Sequence, residues 1–230
     1  MQHNQPDKAS TNDYNLCHSP RDMAELTEQT WQRIRESAIQ MAEDEAQLRH
    51  MLEDVIISRE TLAESLAARL SRKLSREDMQ REQLEPLLRT ILISNEKEVM
   101  SAARDMQAIV DRDPACQSEL EPLLFYKGFL AITSYRVSHI LWNSGRKGLA
   151  LYFQSIASEI FGVDIHPAAR IGCGIFLDHA TSVVVGETSI IEDNVSILHE
   201  VTLGGTGKES GDRHPIVRSG VLIGAGAVSY

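Results

Sequence analysis

Asp178 and His179 stand side by side in this chain. An imidazole next to a carboxylate can take a proton near neutral pH, because the unperturbed pKa of histidine lies near 6.5. An isolated Asp-His pair is also a common way to cap a turn, so the pair alone leaves both readings open. His166, directly before Pro167, reads as structural, and His199 as a coil-facing residue beside the site. Arg213 and His214, within Gly-Asp-Arg-His-Pro, offer a guanidinium that is either a plain loop charge or a group for paired hydrogen bonds. Asp113, within Arg112-Asp113-Pro114-Ala115, reads first as a solvated turn that breaks a helix, since proline disfavours an α conformation in the residue before it.

The 230 residues carry 23 Lys plus Arg against 33 Asp plus Glu, a formal charge of −10. That balance argues against nucleic acid and anionic membranes as partners and leaves small molecules or other chains. No run approaches the roughly 18 apolar residues of a membrane span, and residues 1–20 contain no apolar signal core, so the expected compartment is the cytoplasm. Cys17, Cys116 and Cys173 are widely and irregularly spaced, without a CxxC pair. They read as reduced thiols, and no metal site is expected.

Two periods divide the chain. After a polar leader over 1–21, helical spacing runs from Asp22 to about Asp111, as in Leu62, Leu66, Leu70 and Leu74, with no glycine between Asp22 and Val110. Two more helices are expected over about Glu121 to Asn143 and Lys147 to Phe161, closing a helical domain over 22–162. Beyond Val163, Ile165, Ile171, Leu177, Val183, Val195 and Val201 form a six-residue ladder with Ser189 off type. A second track holds Val185, Ile191, Ile197 and Leu203. A period of six fits a solenoid of short strands and tight turns over 163–230. With coils of about eighteen residues, Asp164 lies roughly one coil from His179, where contact is feasible. The ladder resumes at Val217, ten positions late, so about 207–216 form an extruded loop of the kind that often carries function.

The six-residue repeat resembles the hexapeptide acyltransferases, whose coils form a left-handed parallel β-helix and assemble as trimers. The stretches DIHPAARIG (Asp164 to Gly172), LDHAT (Leu177 to Thr181), VVGET (Val184 to Thr188), VTLGGTGK (Val201 to Lys208) and GDRHP (Gly211 to Pro215) narrow the match. Together they look like serine acetyltransferase, with RDPA (Arg112 to Ala115) and YKGF (Tyr126 to Phe129) like its helical domain. The resemblance implies an α+β chain: an all-helical N-terminal domain followed by the left-handed β-helix. It implies acetyl transfer from acetyl-CoA, a co-substrate, to the L-serine hydroxyl for cysteine biosynthesis, with no metal and no tightly bound cofactor.

Serine's hydroxyl needs a base as the bond forms, and the resemblance assigns His179 that role, with Asp164 stabilising the imidazolium. It assigns the serine carboxylate to Arg213 and His214, the ammonium to Asp178 and Asp113, and the coenzyme A arm to Gly204, Gly205 and Thr206, with Ala225 continuing that wall. Trimers or dimers of trimers, and inhibition by cysteine at the serine site, are further expectations. The chain stops at GAGAVSY where the family continues, which puts much of the coenzyme channel and the contact with the next pathway enzyme in doubt. Another hexapeptide acyltransferase, or a low-activity assembly subunit, is the alternative reading.

Overall fold

The computed structural model describes residues 20–205 and 211–230. Eight α-helices come first: α1 (Pro20–Asp44), α2 (Arg49–Leu52), α3 (Leu62–Leu74), α4 (Arg81–Ile93), α5 (Glu96–Arg112), α6 (Leu120–Phe125), α7 (Lys127–Asn143) and α8 (Lys147–Phe161). A π-helical turn, Glu53–Ile57, extends α2. Between Asp22 and Asp111, where glycine is absent, polar caps divide the helices instead. Thr61 caps α3 by accepting from the Glu64 amide, while the Glu64 carboxylate accepts from the Glu60 amide, a close variant of the capping box. Leu62, Leu66, Leu70 and Leu74 are all buried, as their four-residue spacing requires. The helix expected from Glu121 to Asn143 is split at Tyr126, whose backbone is extended.

Strand geometry takes over at Val163. Ten strands follow: β1 (Val163–Ile165), β2 (Arg170–Ile171), β3 (Phe176–Leu177), β4 (Val183–Val185), β5 (Ile190–Ile191), β6 (Ser196–Ile197), β7 (Thr202–Leu203), β8 (Ile216–Val217), β9 (Leu222–Ile223) and β10 (Val228–Ser229). They stack as three parallel sheets, β1-β4-β7-β10, β2-β5-β8 and β3-β6-β9, the walls of a three-sided solenoid.

Register corrects the single ladder read from sequence. Ile165 pairs with Val185, Ile171 with Ile191 and Leu177 with Ile197, an offset of 20 residues, whereas Val185 pairs with Leu203, an offset of 18. Two extra residues therefore lie in the turn after β3, and the track of Ile165 continues through Val185 rather than Val183. Val183, Ser189, Val195 and Val201 form a parallel inner track, and Ser189 belongs to it, fully buried. By the same register Ile191 pairs with Val217 at an offset of 26, so the extruded loop adds eight residues rather than ten. Thr206 and 207–210 fall outside the described residues, as do 1–19. Cys173 is disulfide-bonded, which corrects the reading of three reduced thiols, since spacing along a chain does not reveal which thiols meet; Cys116 is buried and free.

The two parts share one apolar core. Their seam is polar and buried. Arg136 on α7 donates to Asp105 Oδ2 on α5 at 2.7 Å and to the Gly172 carbonyl at 2.8 Å, while the Ile175 amide donates to Asp105 Oδ1 at 2.7 Å. Burial pushes the Asp105 carboxyl up to about 6 against the pull of Arg136. The α7 N-terminus abuts β3 so closely that a Cβ on Gly128 would overlap the Leu177 carbonyl oxygen. Gly128→Ala should therefore cost about 1 to 3 kcal/mol by overpacking and lower the melting temperature by several degrees. An unchanged transition in differential scanning calorimetry would show that this contact is not tight.

Candidate active site

The two extra residues of the first coil lie in the turn that carries His179. His179, Ala180 and Ser182 have φ of 55°, 54° and 60°. Left-handed backbone is unfavourable for residues with a Cβ, at about 1–3 kcal/mol each. The turn persists because its backbone is tied down: Ala180 N donates to Asp178 O at 2.6 Å, Thr181 N to His179 O at 2.8 Å and Ser182 N to Gly162 O at 2.7 Å. The buried Ala180 anchors it, and the His179 side chain stands 78% exposed above the corner. Its Nε2 lies 3.7 Å from Asp178 Oδ1, an ion-pair distance rather than a hydrogen bond. One coil on, His199 occupies the equivalent position, two residues past the paired Leu177 and Ile197, and the two imidazoles meet edge to face at 6.1 Å. Ala225 follows two residues past Ile223, completing a column of His179, His199 and Ala225.

Asp164 lies at the centre of β1, opposite Val184. Its Oδ1 accepts from Gln154 Nε2 at 2.6 Å, so among the described residues the carboxylate within ion-pair reach of His179 is Asp178, not Asp164. Asp113 caps α5, accepting from the Ala115 amide at 2.9 Å. Arg112 donates to the Gly174 carbonyl at 3.2 Å and to Ser196 Oγ at 3.1 Å. Burial pushes the Tyr126 hydroxyl up, as do Cys116 and Asp113, and the neighbouring Lys127 ammonium donates to Thr181 Oγ1 in the His179 turn.

The opposite edge of the same sheet carries a second cluster. The Arg213 guanidinium pairs with Glu187 Oε2 at 2.8 Å. Thr188 Oγ1 accepts from the Arg213 and His214 amides at 3.1 and 3.2 Å and lies 2.8 Å from His214 Nδ1. The Thr188 amide also donates to His214 Nδ1 at 3.2 Å, which assigns the ring hydrogen to Nε2. Burial lowers the His214 pKa and Arg213 lowers it further, in keeping with that neutral tautomer. Gly186 is required here, since a Cβ would overlap the His214 ring, and a Cβ on Gly205 would crowd the Arg213 carbonyl. Gly204, just past β7, donates its amide to the Ser229 carbonyl at 2.8 Å. Gly204 and Gly205 thus share the Arg213 edge, while Ala225 stands on the His179 edge.

His166, on the Arg213 edge, accepts from the Ala168 amide at 3.1 Å and packs edge to face on Trp142, a structural role. Sequence reasoning did not single out Glu187, Thr188 or Lys127, although VVGET and YKGF contain them. Among the described residues no His, Cys, Asp and Glu group is placed to hold a metal ion, and no helix is long and apolar enough to cross a membrane.

A helical N-terminal region followed by a left-handed parallel β-helix is the architecture of a hexapeptide-repeat acyltransferase. Residues 30–134 match the family described as serine acetyltransferase, N-terminal. The serine acetyltransferase of Haemophilus influenzae is 52% identical over 202 residues, covering 88% of this chain and 76% of the relative. A probable serine acetyltransferase of rice is 51% identical over 198 residues, covering 86% of this chain and 63% of its own length. A serine acetyltransferase solved in complex with cysteine superposes with a TM-score of 0.86 at 51% identity, covering 88% of this chain and 84% of that one. The Brucella abortus enzyme with coenzyme A gives 0.85 at 46% identity, covering 89% and 82%. Soybean serine acetyltransferase with serine gives 0.85 at 48%, covering 88% and 84%. The chain belongs to the serine acetyltransferase family.

Proposed function

We propose that this chain transfers the acetyl group of acetyl-CoA to the hydroxyl of L-serine, giving O-acetyl-L-serine for cysteine synthesis in the cytoplasm. The observation that carries the reading is the division of labour across one sheet. The His179 edge holds an imidazole and the Asp178 carboxylate; the Arg213 edge holds a guanidinium and the neutral imidazole of His214. β4 is three residues wide, which at about 3.3 Å per residue puts the two edges about 10 Å apart. The site is complete when the His179 edge of one copy faces the Arg213 edge of the next, the arrangement a cyclic trimer repeats around its axis.

In that composite site the serine carboxylate takes paired hydrogen bonds from Arg213 and one from His214 Nε2–H, and Asp178 and Asp113 receive the ammonium. The serine oxygen attacks the thioester carbon as His179 takes its proton; collapse of the adduct expels the coenzyme sulfur, which takes the proton back. Asp164 steadies the imidazolium once its carboxylate leaves Gln154 for the base. Gly204 and Gly205 from one copy and Ala225 from the next would let the coenzyme arm lie against the backbone, and the family resemblance adds Thr206 to that contact. Cysteine, with a thiol in place of the hydroxyl, fits the same carboxylate and ammonium contacts and would compete with serine.

Arg213→Ala is expected to weaken serine binding by roughly ten- to hundredfold, the worth of a charge-assisted hydrogen bond. Coenzyme A affinity should change little, and Arg213→Lys should recover only part of the loss. Calorimetric titration with each ligand, beside a thiol-release assay with acetyl-CoA and serine, tests this. Serine affinity unchanged in Arg213→Ala would remove Arg213 from the site.

A further inference from the structure

Lys127 opens α7 at a place where helix stability alone would not put it. A cation beside the N-terminal end of a helix opposes the helix dipole, and this first turn has no acidic residue and no side-chain cap to offset it. The ammonium instead donates to Thr181 Oγ1, 54 residues along the chain in the turn that carries His179. Gly128 sets that reach, because a residue without a Cβ lets the start of α7 lie against the Leu177 carbonyl, two residues before His179.

An ammonium has donors and no acceptor, so Thr181 Oγ1 receives that bond and keeps its one hydrogen for another partner. The acceptor it faces is the His179 carbonyl at 3.5 Å, the same oxygen that accepts from the Thr181 amide at 2.8 Å. A chain of hydrogen bonds thus runs from α7 through Thr181 to the backbone of His179. Polarised by the ammonium, the hydroxyl becomes the better donor. The φ values of 55° at His179 and 54° at Ala180 are unfavourable for residues with a Cβ, so the turn keeps its shape only while its surroundings over-determine it. Backbone bonds from Ser182 to Gly162 and from Glu200 to Thr181 tie it to the neighbouring coils, and Lys127 ties it to the helical domain.

We infer that Lys127 is a positioning residue for the base: through Thr181 it holds the His179 turn, and with it the angle at which the imidazole meets the serine hydroxyl. The inference rests on His179 being the base. Lys127 acts only through Thr181, and no proton moves through it. Without the hold, the imidazole samples orientations from which it cannot take the proton. Turnover then falls while the contacts that bind serine and coenzyme A stay in place.

The test is steady-state thiol release with acetyl-CoA and serine for the wild-type chain, Lys127→Met, Thr181→Val, the double variant, Lys127→Arg, and His179→Ala with and without Lys127→Met. Methionine keeps most of the side-chain length without the donors, and valine keeps the shape of threonine without the hydroxyl. Thr181 is exposed and Lys127 half-buried, so melting temperatures should stay close to wild type. We expect each of Lys127→Met and Thr181→Val to lose about tenfold in kcat, short of the roughly hundredfold that a 1 Å misplacement can cost, with both KM values within about twofold. The double variant should be no worse than either single one, because one bond can be lost only once, and Lys127→Arg should recover most of the loss. Adding Lys127→Met to His179→Ala should lower turnover no further. Losses that multiply in the double variant would overturn the inference, and so would a further fall in the His179→Ala background, which would mean that Lys127 acts on substrate directly. Retained turnover in His179→Ala would bring down the base assignment and this inference together. Lost turnover there beside wild-type turnover in Lys127→Met would bring down this inference alone.

Discussion

His179→Ala should lower kcat with serine by about 10² to 10⁴ fold, the range of a lost general base, while the protein melts where the wild type does. The second half of that expectation comes from the corner itself. The side chain is 78% exposed, beside Asp178 and the His199 ring, so truncation opens no cavity. Alanine carries the same Cβ penalty at a φ of 55° as histidine does, so the strain is unchanged. His179→Gly separates the two effects: it should be as inactive as the alanine variant yet more stable, since glycine adopts that backbone freely. Initial rates at saturating acetyl-CoA and serine, with thermal unfolding alongside, decide the matter. Turnover near wild type in either variant would end the case for His179.

The largest stability effect should follow Asp105→Ala. Asp105 and Arg136 are fully buried, and the carboxylate accepts from two guanidinium nitrogens of α7 and from the Ile175 amide of the β-helix. Removing it strands the Arg136 charge with Glu98 Oε2 at 3.2 Å and leaves a buried amide unpaired. Breaking a buried pair from one side costs about 3 to 5 kcal/mol. For a chain of this size that lowers the melting temperature by about 6 to 20 °C. Replacing both partners, as in Asp105→Leu with Arg136→Met, should recover much of the loss, because two apolar groups leave no orphaned charge. Calorimetric scans of the single and double variants form the cycle. A double variant no more stable than Asp105→Ala would mean that the pair holds the seam through geometry that apolar packing cannot replace.

Much of this molecule was legible before any coordinates. The six-residue recurrence of apolar residues after Val163 can satisfy itself only in a solenoid, because each inward position must repeat at every side of the coil. Leucine spacing across α3 gave its buried stripe for the same kind of reason, a period matched to a surface. The motifs around His179, Arg213 and Asp113 singled out residues whose chemistry could act together. What they did not carry was that His179 and Arg213 stand at opposite edges of one sheet. The turn after β3 holds two residues more than the ladder allows, and those residues take left-handed backbone without glycine, so neither periodicity nor composition marks them.

The sequence by itself determined the repeat, the change from helix to coil near Val163, and the chemical types available for catalysis, because these follow from local pattern and side-chain chemistry. Only the tertiary structure decided which of those groups meet. Asp164 accepts from Gln154 rather than from His179, since α8 passes over β1 at that point. Ala225 lies in one column with His179 and His199, and Gly204 and Gly205 lie across the sheet, because offsets of 18, 20 and 26 residues set which corner each turn occupies. Thr188 fixes the tautomer of His214, and Lys127 reaches the His179 turn from the start of α7. Contacts of this kind depend on the sum of every coil's length and on how the helices seat against the coils, and neither quantity is carried by any one stretch of sequence.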